Sequence, residues 1–144
     1  MGLHNRQHVV LSARNQYCPI RKHIVSSSRL LNDIMKENFD VMISEEARSF
    51  IRSLDPKVQK KVAYNIQKAR EVNDPRLFKK LNSEIWEFRT NFDKQQIRLL
   101  GFWDPNQKAI VICTHGFVKK TQKTPKTQID KARNYRMKYL KGRT

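Results

Sequence analysis

Cysteines, acidic residues and long apolar runs are all scarce in this chain. Its two cysteines, Cys18 and Cys113, lie far apart with no second metal-type ligand beside either, so neither a disulfide framework nor a zinc site follows. Cys113, between Ile112 and Thr114 in an apolar run, reads as a buried small residue in a reducing cytoplasm. No apolar run approaches the ~18 residues that span a bilayer. A secretory leader needs an apolar stretch of about 7–15 residues, which Val9-Val10-Leu11 does not supply. Neither repeats nor low-complexity tracts occur. What is abundant is positive charge. Thirty lysines and arginines stand against thirteen acids, a formal net charge of +17 on 144 residues. Hydrophobic content is 38%, below the globular average of roughly 45–50%, yet seven Phe, four Tyr and two Trp supply core material.

So basic a domain is drawn to polyanions, nucleic acid first among them. A membrane-surface protein would show a long basic amphipathic helix with Trp, Phe or Leu opposite, whereas the aromatics here cluster in strand-like segments. Residues 1–34 hold five Lys or Arg, three His and one acid, with no sustained period of 2 or 3.6. We expect an irregular N-terminal extension there, with a start at Met35 as one explanation. Residues 35–144 are expected to form the working domain.

From Phe39 the chain becomes regular. Phe39 to Ile43 has strand composition, and Ser44 before Glu45-Glu46 is a helix N-cap with acids in its first turn. Ala47, Phe50, Ile51 and Leu54 form one amphipathic stripe. Asp55-Pro56 opens a second helix along Val58, Val62, Ile66, Ala69 and Val72, ended by Asn73-Asp74-Pro75. Three strands follow, over Ile85 to Phe92, Gln96 to Trp103 and Ala109 to Phe117. After Pro125, Thr127 to Leu140 reads as a last helix. The order βααβββα predicts a small α+β domain with its helices on one face of a largely antiparallel sheet.

Two strand arginines stand out. If Asn91 pairs with Gln96, Arg89 sits opposite Arg98, and a slip of one residue sends Arg98 to the other face. Like charges directly opposed in a sheet are destabilising unless an anion lies between them. Glu87 is one such anion; a bound phosphate is the other. Lys79-Lys80 precede the first of these strands, and Lys119-Lys120 follow His115-Gly116-Phe117 at the end of the last. Gly116 permits close approach or a bulge that re-aims His115. These cations could line a groove for an RNA backbone, where guanidinium groups stabilise the charge that builds as a 2′-OH attacks the adjacent phosphorus. His115 is then either the group that takes the 2′ proton or a strand-end residue bonded to backbone.

The run Leu81-Asn82-Ser83-Glu84-Ile85-Trp86-Glu87-Phe88-Arg89, then Ile97-Arg98-Leu99-Leu100, then His115 to Thr121 with Pro125, Ile129 and Ala132 downstream, resembles the RelE/ParE toxin superfamily over roughly residues 39 to 140. More narrowly it is similar to the HigB-like, phage-derived host-killing-like branch. The resemblance implies a type II toxin of the cytoplasm that enters the ribosomal A site and cleaves mRNA without metal or other cofactor, leaving a cyclic phosphate. It also implies a cognate helix-turn-helix antitoxin. Arg89, Arg98, His115 and Lys120 are the expected catalytic set, with Lys79, Lys80 and Lys119 holding RNA. The general base stays open between His115, Tyr135 and Tyr139, or a group of the ribosome. A ParE-like inhibitor of DNA gyrase and a non-catalytic nucleic-acid-binding protein are the alternatives.

Overall fold

A computed structural model describes residues 10–11 and 38–142. In chain order these form β1 (Val10–Leu11), β2 (Asp40–Ile43), α1 (Glu45–Arg52), α2 (Pro56–Glu71), β3 (Phe78–Lys80), β4 (Trp86–Phe92), β5 (Gln95–Trp103), β6 (Ile110–Val118) and α3 (Lys126–Lys141). The six strands make one sheet in the order β1-β2-β6-β5-β4-β3. Only β2 and β6 run parallel; every other pair is antiparallel. The α+β class and the run of elements follow the expectation, with two short strands added. β1 comes from the stretch expected to be irregular; the rest of residues 1–34, and the question of a start at Met35, lie outside the described residues. β3 places Lys79 opposite Glu87 and Lys80 opposite Trp86.

The local signals act as read, with small differences. Ser44 caps α1, its hydroxyl accepting from the Ala47 N–H, and the same hydroxyl donates to the Thr114 carbonyl of β6. Asp55 occupies the N-cap of α2 with Pro56 at the first helical position, but its side chain makes no capping bond. Val72, counted in the α2 stripe, is the C-cap residue and is exposed. Asp93 and Lys94 both take positive φ, 53° and 63°, as a two-residue hairpin turn requires. That turn fixes the register of β4 against β5: Asn91 pairs with Gln96, and Arg89 with Arg98.

Where the structure departs from expectation is the position of the helices. α1 and α2 cover one face, packing Ala47, Val58, Val62, Ile66 and Ala69 onto Phe88, Ile97, Leu99, Val111 and Cys113. α3 covers the other, where Ala132, Ile129, Tyr135 and Tyr139 meet Ile85, Leu100, Phe102 and Ile112. The helices therefore do not share a face. The cause lies in β5 and β6, which carry large apolar side chains on both sides; leaving Leu100, Phe102 and Ile112 in water would forgo about 1.5–3 kcal/mol each. Cys113 is fully buried, and burial pushes its thiol up to about 12, so it stays protonated packing material.

Strand β6 contains one irregularity. Leu100 pairs with His115 but Gly101 pairs with Cys113, leaving Thr114 as the extra residue of a bulge. Without it, His115 would follow Val111 and Cys113 onto the α1–α2 face. With it, His115 and Phe117 turn to the α3 face. Gly116 serves a different purpose: a Cβ there would fall 2.3 Å from Phe50 and 2.6 Å from Leu99, so its bareness seats α1.

Candidate anion site at the hairpin

The sheet alternation puts Lys79, Glu87, Arg89, Arg98 and Phe117 on the α3 face, toward the β4–β5 turn. α3 itself lies over Leu100, Phe102 and Ile112. The segment joining β6 to α3 lies by the arginines, anchored where the Lys119 N–H donates to the Gln96 carbonyl at 2.7 Å and the Thr124 hydroxyl donates to Glu87 Oε2.

Arg98 is 1% exposed. Its Nη1 donates to Asn91 Oδ1 at 3.0 Å and to the Ile97 carbonyl at 2.9 Å, and Nη2 to Gln96 Oε1 at 3.2 Å. Arg89 lies above it with 26% of its side chain exposed, Nη1 donating to the Pro75 carbonyl at 3.4 Å. The Nε donors of both arginines are buried without a hydrogen-bond partner. Both face Glu87 Oε1, at 3.5 Å from Arg89 and 3.7 Å from Arg98, too long for hydrogen bonds. Burial pulls the Arg98 guanidinium below its ordinary value, Glu87 opposes that and Arg89 adds to it. Lys119, 9% exposed, is lowered in the same way, first by burial, then by Arg98, with Glu87 opposing and Arg89 and Lys79 adding. Four cations thus share one field around one carboxylate.

The remaining residues singled out from sequence lie elsewhere. Lys80 sits opposite Trp86 and so on the other face, because adjacent strand residues alternate. Lys120 is exposed just past Lys119, which is the lysine that feels the arginines. His115 is two positions along β6 from Phe117, whose ring stacks on it at 6.1 Å. Its Nδ1 meets the Thr114 hydroxyl at 2.9 Å and its Nε2 meets Gln128 Oε1 at 2.8 Å, so the imidazole ties β6 to α3. Instead of the arginines it lines a separate cleft of about 470 Å³ with Glu46, Lys131 and Tyr135. Tyr139 donates to Asp104 Oδ2 at 3.0 Å, just beyond the C-terminal end of β5, away from the hairpin turn. Sequence reasoning named Glu87 only as a pairing partner and passed over Thr124's bond to it, which spans residues distant in the chain.

A small α+β domain with a cationic cluster on its central hairpin fits a class, the RelE/ParE-like toxins. Residues 49–138 match the model of the phage-derived protein Gp49-like family (DUF891), and the chain belongs to that family, a member of this superfamily. The family is associated with the toxins of toxin–antitoxin pairs, which implies an antitoxin partner. Comparison with curated proteins gives no match. Among the described residues no helix is long and apolar enough to cross a membrane.

Proposed function

We propose that this protein is a ribosome-dependent mRNA endoribonuclease of the HigB-like kind, acting in the cytoplasm and restrained by a helix-turn-helix antitoxin. The observation that supports this reading is the convergence of Lys79, Arg89, Arg98 and Lys119 on one face around the single buried carboxylate of Glu87.

In this mechanism the ribose 2′-oxygen attacks the adjacent phosphorus and the P–O5′ bond breaks, giving a 2′,3′-cyclic phosphate and a free 5′-hydroxyl. Arg89, with its exposed edge, and Lys79 bind the phosphate and the charge that develops on it. Arg98 acts from beneath, holding the field without touching RNA. Lys119, whose proton affinity is lowered first by burial and then by Arg98, is the group this reading assigns to the 2′ proton. The leaving O5′ is protonated by solvent or by a group of the ribosome. His115 and Tyr135 line a separate cleft and Tyr139 donates to Asp104, so this reading assigns none of them a step.

Induction in bacteria with mapping of mRNA 5′ ends tests the reading. Ribosome-phased cuts are expected from the wild type and are expected to vanish in Arg89→Ala and Lys119→Met. DNA breaks and SOS induction without RNA cuts would replace the reading with gyrase inhibition; neither effect would leave a nucleic-acid-binding protein without catalysis.

A further inference from the structure

We propose that Glu87 is a positioning residue for the arginine pair, aiming both guanidinium groups from below and tying the segment that carries Lys119 to the same spot. The inference rests on the nuclease reading above. Glu87 is 1% exposed, so RNA does not reach it. Its Oε1 lies between the inward-facing Nε donors of Arg89 and Arg98, at 3.5 and 3.7 Å, and its Oε2 accepts from the Thr124 hydroxyl. Arg89 and Arg98 are direct cross-strand partners, a placement in which like charges push each other apart. A carboxylate two residues along the same strand face counters that repulsion and fixes where the guanidiniums point. It holds them at a distance too long for hydrogen bonds, so neither Nε is committed. Through Thr124 the same carboxylate also fixes the turn between β6 and α3, which begins at Lys119. One buried anion therefore sets the mutual position of three cations.

The inference predicts that binding and cleavage separate. Glu87→Gln keeps the size and an acceptor for Thr124 but removes the charge. Removing a negative charge from beneath the cations that bind phosphate should leave binding as tight as wild type or tighter. Misaimed guanidiniums should slow cleavage about a hundredfold, the effect of a misplacement near 1 Å. The substrate is an mRNA programmed on bacterial ribosomes with its cut mapped, and binding is read on the same mRNA carrying a 2′-O-methyl group at that cut. Binding at least as tight as wild type with slow cleavage supports the proposal. Cleavage at the wild-type rate, or loss of binding together with cleavage in a folded variant, overturns it. Should Glu87→Gln fail to fold, Thr124→Val decides: cleavage about tenfold slower at unchanged binding supports the role, and wild-type kinetics refute it. Absence of any cut by the wild type removes the nuclease reading and this inference with it, whereas cuts indifferent to both substitutions remove the inference alone.

Discussion

His115 is a buried tie between β6 and α3. Its two ring nitrogens meet Thr114 and Gln128, and the ring is 2% exposed. Burial holds its pKa below the ordinary 6.5; the Gln128 bond opposes this, Lys131 across the cleft adds to it and Glu46 opposes it. A folded-state value below the unfolded one means that the unfolded chain binds the proton more readily. The contribution of His115 to stability is therefore fully present above about pH 6.5 and is lost as pH falls through the lower folded value. Urea unfolding of the wild type should show its midpoint dropping between pH 7.5 and 5.5, and His115→Gln should flatten that part of the profile. An equal slope in both proteins would mean that the imidazole titrates as it would in water. The sequence offered a bulge that re-aims His115 but pointed to Gly116 for it; the extra residue is Thr114, because a one-residue insertion leaves no mark on an apolar run.

At the scale of elements, the hairpin was the legible part. Trp86, Phe88 and Phe92 alternate with polar residues and a turn follows at Asp93, so the Arg89–Arg98 pairing could be named as one of two registers, and the two-residue turn at Asp93-Lys94 selects it. The side taken by α3 was not read, although the signal was present: Ala109 to Phe117 is apolar on both faces, and such a strand needs cover on both. β3 is three residues long and β1 two, too short to establish a period. Lys79 and Lys80 therefore could not be assigned to opposite faces from sequence. The bulge also explains a glycine. A Cβ on Gly101 would fall 2.6 Å from the Ile112 carbonyl oxygen, a backbone atom that cannot step aside. Gly101→Ala should cost about 1–3 kcal/mol of stability, as overpacking does, read as a fall in the denaturation midpoint at unchanged slope. Gly116→Ala meets side chains of Phe50 and Leu99 and should be the milder of the two.

At the scale of the whole molecule, a net charge of +17 guarantees attraction to any polyanion, so affinity for RNA alone says little about the site. The distribution of that charge is more informative. Lys57, Lys60 and Lys68 are exposed on α2, on the face opposite the arginines, where they add a diffuse field without converging. Lys79, Arg89 and Lys119 converge over one carboxylate. Salt dependence separates the two contributions. Each phosphate neutralised on a single strand contributes about 0.7 to the slope of log affinity against log salt. Replacing Lys79 and Arg89 together by alanine should therefore lower that slope by about 1.4 and abolish cleavage. Replacing Lys57 and Lys60 should weaken binding at low salt and leave the cleavage rate of bound mRNA unchanged. The measurement is a salt titration of binding to the 2′-O-methyl mRNA beside single-turnover cleavage. If the α2 lysines lower the cleavage rate as much as the hairpin pair does, the cluster has no privileged place in the molecule's charge, and the chemistry must be sought on the other face of the sheet.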